Sequence, residues 1–248
     1  MIDPAQTVLP KGWLIQLVGE RMELSHWQAT FKEPFDPVVF TDPDGSSFLT
    51  SQEFDSMASA EEVMHRGKAL IARLNGAMAL LNSTRPIDCG GIVESDGTGT
   101  RNISVFLQGM ASAVSFGVAT AVITSVGPDG LPLPPPPPTP SSAQQLNETA
   151  AGNSIIADLL AQFGGADGWY EIYKTIELAE HLAGSKHKLE SMLGPSRADC
   201  RNMRQTANFY RHARYPRPAH LTTLPDAKSL LKTMVNAALS ISRNAATA

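Results

Sequence analysis

The chain has 248 residues, of which 42% are hydrophobic, and this content supports a packed core and excludes an intrinsically disordered protein. Its formal net charge of -4 excludes a protein that coats nucleic acid or an anionic membrane along its whole length. Residues 1–140 carry 8 Lys and Arg against 15 Asp and Glu, whereas residues 141–248 carry 12 against 9, so the net charges are -7 and +3. Any contact with a polyanion is therefore expected to be local and in the second part of the chain.

Cysteine usage and hydropathy indicate a cytoplasmic protein. Cys89 and Cys200 are far apart and lack the spacing of a zinc site or a disulfide framework. The amino terminus has no signal-peptide pattern, and the apolar run at 109–124 is shorter than the roughly 20 residues that a membrane helix needs. We expect no metal, no cofactor and no membrane partner.

The first predicted domain, residues 1–126, combines strands with one main helix. A capping box formed by Ser59 and Glu62 predicts a helix that runs to about Asn82, with apolar residues at helical spacing. Short β-rich segments bounded by turns predict the strands 12–19, 36–42, 46–51, 89–95, 100–108 and 109–124. Together they predict an antiparallel sheet with a helix across one face, an α+β arrangement.

A proline-rich linker is predicted at residues 127–141. Eight prolines in the stretch from 127 to 140 remove backbone donors, so this segment cannot join a helix or the interior of a sheet. An extended polyproline conformation would span on the order of 40 Å. A spacer is the preferred interpretation, and a ligand for an SH3-type domain is the alternative.

The second predicted domain, residues 142–248, is an all-α helical bundle. Helical periodicity predicts helices at 142–163, 167–183, 186–193, 196–214 and 223–243. The short connections between them favour antiparallel packing.

The most unusual stretch is "RADCRNMRQTANFYRHARYPRP", residues 197–218, in which six arginines accompany one acid, Asp199. On a helix, one narrow sector would contain Arg197, Arg201, Arg204, Asn208 and Arg211, with His212 at its edge. The opposite sector would face the bundle through Cys200, Met203, Ala207 and Tyr210.

These aligned arginines require a negative counterpart, since like charges three and four residues apart on a helix repel each other. The counterpart is either a carboxylate on a neighbouring helix, such as Glu171 or Glu177, or the acidic first part of the chain, or the phosphates of a nucleic acid. Arginine suits each case, because its planar fork binds carboxylate or phosphate through two parallel hydrogen bonds. An RNA-directed function depends on arginines that lack an intramolecular carboxylate.

The segments "DGWYEIYKTIELAEHLAG" and "RQTANFYRHARYPRPAHLTTLPDAKSLLKTMVNAAL" resemble the carboxyl-terminal module of a widespread group of bacterial two-part proteins, and more distantly HEPN domains. The resemblance implies a helical bundle that acts on RNA, as a metal-independent ribonuclease of a defence or toxin system. It also implies a homodimer that brings an Arg and a His together. In such an enzyme the His would transfer a proton and the Arg would stabilise charge on phosphorus.

The resemblance suggests catalytic roles for His212, Arg211 and Arg204, and roles for Glu177 and Lys174 in positioning them from the neighbouring helix. Contacts with nucleic acid are expected from Arg197, Arg201, Asn208, Arg214 and Arg217. The alternative is a non-catalytic module whose bundle binds a protein partner, or whose two parts bind each other through opposite charge. An anionic small molecule is a further candidate ligand for the arginines.

Overall fold

The structure is a computed structural model that describes residues 9–42, 44–82, 84–98, 101–104, 137–212 and 216–246. A five-stranded antiparallel sheet precedes a helical region, which confirms the predicted α+β class. The predicted strand at 109–124 and most of the predicted linker lie outside the described residues.

The sheet has the strand order β2-β3-β1-β4-β5, and every neighbouring pair is antiparallel. Its strands are β1 Gly12–Val18, β2 Val38–Thr41, β3 Ser47–Thr50, β4 Asp88–Ser95 and β5 Arg101–Ser104. The predicted turn between β2 and β3 is confirmed, since Gly45 adopts a φ of 88° there and Asp42 N donates to Ser46 O. A residue with a side chain would be strained at that φ.

The central strand β1 is buried on both faces of the sheet. On one face Ile15 lies between its cross-strand partners Leu49 and Ile92. On the other face Leu14 is paired with Val93, and both belong to a buried cluster completed by Leu9 and Phe48. Because consecutive residues of a strand point to opposite faces, burial on both faces accounts for the apolar residues at the consecutive positions Leu14 and Ile15.

The helix α1, Arg21–Thr30, was not expected from the sequence. Trp27 is its one fully buried residue, so the segment lacks the repeated apolar positions by which an amphipathic helix is recognised. Trp27 packs against Phe31 edge to face, with ring centroids 5.2 Å apart. An aromatic pair therefore anchors this helix where a hydrophobic stripe would otherwise be needed.

The side chain of Gln144 forms hydrogen bonds with residues 32–37, the segment that follows α1. Its Nε2 donates to the carbonyl oxygens of Lys32, Phe35 and Pro37 at 3.0, 2.8 and 3.1 Å. Its Oε1 accepts from Ser141 N, and Ser141 Oγ accepts from Gln144 N, so the two residues form a capping box. The Gln144 side chain is almost completely buried, and it supplies these carbonyls with a donor that water cannot replace.

We predict that Gln144→Glu destabilises the chain by about 2–4 kcal/mol, because the donor that serves three carbonyls becomes an acceptor. Thermal and urea unfolding followed by circular dichroism measures this loss. Gln145→Glu is the matched control, since that side chain is exposed. Equal effects of the two substitutions would contradict the assigned role of Gln144.

The helices after the linker are α3 Ser142–Ala151, α4 Ser154–Gly164, α5 Trp169–Leu182, α6 Lys186–Met192, α7 Arg197–Arg211 and α8 Leu224–Ala246. The prediction of a single helix at 142–163 is wrong, because the helix is interrupted at Gly152 and Asn153. Asn153 caps α4, its Oδ1 accepting from Ile155 N at 3.0 Å and from Ile156 N at 3.3 Å. The helix α5 contacts α4, α6, α7 and α8 and is the centre of this bundle.

The chain divides into two compact units. They differ from the predicted domains because most of one helix of the first predicted domain belongs to the second unit. The first unit contains residues 1–66 and 87–144. The second, which we call the helical unit, contains residues 67–86 and 145–248. The helix α2, Ala60–Asn82, therefore contributes most of its length to the second unit. The first unit carries 5 Lys and Arg against 15 Asp and Glu, and the second carries 15 against 9, so the net charges are -10 and +6.

Two glycines explain how α2 joins the helical unit. A Cβ on Gly76 would overlap the backbone carbonyl of Leu160 on α4. A Cβ on Gly164 would lie only 2.6 Å from Gly76 N. The two helices approach each other at these positions, and only glycine leaves room for the opposing backbone. Nearby, Arg73 Nε donates to Asn147 Oδ1 at 2.7 Å, and both side chains are buried.

We predict that Gly76→Ala destabilises the helical unit by about 2 kcal/mol, because the added methyl group forces the helix backbones apart. By itself, the higher helix propensity of alanine would make the unit more stable. Unfolding followed by circular dichroism measures the change. Gly152→Ala is the control, since its added Cβ meets only the carbonyl oxygen of Thr149 at 3.8 Å.

Candidate functional site

The candidate site lies on the face of α7 that carries the arginines. Cys200, Met203 and Ala207 are buried on the opposite side, as the helical spacing predicts. Tyr210 was expected to be buried with them, but it is 53% exposed. It lies in the last turn of α7 and stacks on Trp169 at the first residue of α5, at the edge of the bundle.

Glu190 of α6 binds three cations. Its Oε2 accepts from Arg197 Nε and Nη2 at 3.3 and 3.2 Å, and from Arg201 Nε at 3.1 Å and Nη2. Lys186 Nζ lies 3.8 Å from its Oε1. The glutamate side chain is 10% exposed, whereas Arg197 and Arg201 are 43% and 51% exposed, so a sheltered carboxylate lies behind solvent-facing guanidinium groups.

Two glutamates of α5 hold the remaining arginines of this face. Glu180 binds Arg204 through both oxygens, with Arg204 Nη2 at 2.7 Å from Oε2. Glu177 Oε1 lies 3.6 Å from Arg211 Nη1, and its Oε2 accepts from Lys174 Nζ at 3.0 Å. The Arg211 guanidinium also lies 4.1 Å from the centroid of the Tyr173 ring, a cation–π contact.

Of the three counterparts considered for these arginines, the structure shows the first, carboxylates on neighbouring helices. The condition set for an RNA-directed function, arginines without an intramolecular carboxylate, is therefore not met. Each of the four in the narrow sector lies within 4.0 Å of a glutamate oxygen. We call the ion-paired residues of α5, α6 and α7 the α5–α7 network: Lys174, Glu177, Glu180, Lys186, Glu190, Arg197, Arg201, Arg204 and Arg211. It contains six cations and three carboxylates, so it retains three positive charges.

The sequence identified one of the three carboxylates. Glu177 was expected to face α7 and does so, but no described contact joins Glu171 to the arginines. Glu180 and Glu190 were missed. Tyr173, Glu177 and Glu180 are spaced four and three residues apart, so a common helix face toward α7 was a signal that could have indicated Glu180.

The network lowers the pKa of two of its carboxylates, Glu190 and Glu177. The hydrogen bond from Arg201 is the main cause that lowers the pKa of Glu190, against burial, with further contributions from Arg197 and Lys186. Partial burial raises the pKa of Glu177, but Lys174 and Arg211 outweigh it, so this pKa also lies below the ordinary glutamate value. The glutamates therefore remain anions at neutral pH and compete with any external anion for the arginines.

The three residues suggested as catalytic are not brought together as a free cluster. The guanidinium groups of Arg204 and Arg211 are bound by different glutamates, as described above. His212 is exposed and ends α7, its backbone N donating to Asn208 O. Arg217 is exposed, and Arg214 lies outside the described residues.

Aromatic side chains, two of them half-buried and two exposed, lie at one end of the network. Trp169 and Tyr210 stack with centroids 5.3 Å apart and planes 9° apart, and Phe209 meets Tyr210 edge to face. Tyr170 is 56% exposed. The helical unit thus presents rigid aromatic surface beside its excess cations.

A polar depression is lined by residues of the network and by two neighbouring amides of α7. Its volume is about 270 Å³, and it is lined by Tyr173, Lys186, Arg201, Arg204, Gln205 and Asn208. None of these lining residues is acidic. The depression is therefore the place on α7 where an external anion would meet donors first.

Other chemistry has little support in the part of the chain that the structure describes. Burial, with a smaller contribution from the charge of Asp199, raises the pKa of Cys200 to about 11, so this thiol stays protonated and unreactive. The described residues contain no group of three or more His, Cys, Asp or Glu side chains arranged to hold a metal ion. Among them, no helix combines the length and the apolar character needed to span a bilayer.

Comparison with known proteins gives no match: no protein-family model, no curated protein and no solved structure is detectably similar to this chain.

We predict that Glu190→Gln lowers the free energy of unfolding by about 1–2 kcal/mol at pH 7, because it leaves Lys186, Arg197 and Arg201 without their shared anion. A lowered pKa means that this stabilisation is present above the ordinary carboxyl range and is lost as the pH falls through the folded-state value. The wild type and the variant should therefore converge in acid. Urea unfolding at several pH values measures both effects, with the exposed Glu148→Gln as the control.

Proposed function

We propose that the helical unit is a non-catalytic interaction module that binds an acidic protein surface through the α5–α7 network and the aromatic residues beside it. The observation that carries the proposal is the excess of three cations in a network whose arginines are held by glutamates. Side chains that are already held lose less rotamer entropy on binding, which favours association with a complementary surface.

The aromatic residues support a protein partner. Interface residues that contribute most to affinity are enriched in Trp, Tyr and Arg and surround themselves with groups that exclude water. Tyr170 and Tyr210 are more than half exposed, and Trp169 supports Tyr210 by stacking. An acidic partner with an apolar contact would match both the charge and the chemistry of this face.

The carboxylates of the network favour protein over nucleic acid. A nucleic-acid strand carries a charge at every phosphate, so a surface that follows its backbone needs a continuous row of cations. Here Glu177, whose side chain is 39% exposed, and the sheltered Glu180 interrupt the row. A protein partner places its charges discretely and can avoid these two carboxylates.

RNA binding is the second candidate function. It is favoured by Arg197 and Arg201, which are about half exposed although they share Glu190. A HEPN-like ribonuclease remains a further hypothesis, in which Arg204 would have to release Glu180 to reach a phosphate. His212→Ala with an RNA-cleavage assay tests that hypothesis directly, because the substitution removes the proposed proton carrier.

We predict that a short acidic peptide with one aromatic residue binds the full chain, and that its affinity falls about tenfold or more in Tyr210→Ala and in Arg201→Gln. Fluorescence anisotropy of the labelled peptide measures the affinities, and a labelled single-stranded RNA is titrated in parallel. Arg217→Gln is the control for the loss of one positive charge, since Arg217 lies outside the network.

These binding measurements distinguish the two candidate functions. Peptide binding that is sensitive to Tyr210 and Arg201 but not to Arg217 supports the proposed function. RNA binding that weakens in both arginine variants and falls steeply between about 50 and 200 mM salt supports the second candidate instead. Sedimentation velocity of the same samples shows whether a second copy of the chain competes for this face.

A further inference from the structure

We propose that the depression lined by Lys186, Arg201, Arg204, Gln205 and Asn208 is a binding site for a phosphate monoester group. This inference goes beyond the interaction function, because it concerns a small dianion and does not require a macromolecular partner. The site combines donors from α6 and α7, and Tyr173 of α5 also lines it.

The donors that line the depression are only partly used within the protein. Arg201 donates to Glu190 from Nε and Nη2, which leaves its Nη1 without a partner among the described residues. Lys186 Nζ lies 3.8 Å from Glu190, beyond hydrogen-bonding distance, and its side chain is 54% exposed. The side-chain amides of Gln205 and Asn208 likewise make no hydrogen bond to any described residue.

Charge around the depression matches a dianion. Lys186, Arg197, Arg201 and Arg204 supply four positive charges, and Glu180 and Glu190 supply two negative charges. The remaining two positive charges would be balanced by a phosphate monoester, which carries close to two negative charges at pH 7. A phosphodiester carries only one, so the site is expected to prefer a terminal phosphate to the backbone of RNA.

The size of the depression fits one phosphoryl group. Its volume of about 270 Å³ lies below the range of roughly 300–1,000 Å³ that is typical of pockets for whole small molecules. Tyr173 is engaged through its ring, since the Arg211 guanidinium lies 4.1 Å from the ring centroid. The ligand is therefore held mainly by guanidinium, ammonium and amide groups, which surround a tetrahedral anion from several sides.

The test is a titration of the ¹⁵N-labelled full chain with inorganic phosphate and with phosphoserine, followed by NMR. We expect shifts of the Gln205 and Asn208 amides, and an affinity for both ligands that falls about tenfold in Lys186→Gln and in Arg201→Gln. Lys188→Gln is the matched control, because it removes the same charge from the same helix but does not line the depression. We expect its affinity to change less than about twofold.

Two outcomes overturn the proposal. The first is an absence of shifts at Gln205 and Asn208. The second is an equal loss of affinity in Lys186→Gln and Lys188→Gln, which would mean that the net charge of the unit attracts phosphate without a site. Circular dichroism spectra of the variants separate a lost ligand from a lost fold.

Further probes distinguish the sources of the phosphate. A phosphoserine peptide is compared with its unphosphorylated form, and a 5'-mononucleotide with single-stranded RNA that lacks a terminal phosphate. Binding of monoesters alone supports the proposal, and equal competition by the RNA overturns it in favour of phosphodiester recognition. Loss of phosphate binding with retained, Tyr210-sensitive binding of the acidic peptide would remove the phosphate site and leave the proposed function intact.

Discussion

Neutralisation of the arginines on α7 by three glutamates is the interaction on which the helical unit depends. Arginines spaced three and four residues apart on one helix face repel one another, and isolated helices with such a pattern are destabilised. In the helical unit this repulsion is offset by carboxylates from two other helices, Glu177 and Glu180 on α5 and Glu190 on α6. Ion pairing thus joins α7 to its neighbours on the polar side, while Met203 and Ala207 join it to the bundle on the apolar side.

The network contains more cations than carboxylates, and this ratio determines its net charge. Because Glu190 serves three cations, full neutralisation is not reached and positive charge remains at the surface. Individual exposed ion pairs contribute little to stability, whereas a sheltered carboxylate that accepts several charge-assisted hydrogen bonds fixes the positions of its partners. The network therefore acts more through orientation of Arg197 and Arg201 than through stability alone, and oriented cations favour recognition of an anion.

Catalysis makes a different demand on arginine. A guanidinium that stabilises a transition state must be free to meet charge as it develops, whereas Arg204 is engaged through two hydrogen bonds by Glu180. Recognition tolerates such competition, because a ligand needs only the donors that the glutamates leave unused. This difference is why the geometry of α7 favours binding over cleavage, although the same residues suggested an enzyme when considered without their partners.

The sequence by itself determined the elements whose signals are local. Ser59 caps α2 as predicted, its Oγ accepting from Glu62 N, although Glu62 Oε2 accepts from Ala58 N and not from Ser59 N. The predicted turn between β2 and β3 is also present, because caps and turns involve residues a few positions apart. The arginine sector of α7 was likewise predicted, since its angular spacing follows from the geometry of a single helix. The break between α3 and α4 was missed, although Asn153 is a local cap, because the apolar spacing continues across it.

Only the tertiary structure decided what faces that sector and where α2 belongs. The pairing of Glu180 and Glu190 with arginines 24 and 11 positions later depends on how α5, α6 and α7 pack. Similarly, the assignment of most of α2 to the helical unit depends on the close approach of Gly76 and Gly164, residues 88 positions apart. Periodicity shows which face of an element is polar or apolar, but the partner of that face is chosen by packing between elements distant in the chain.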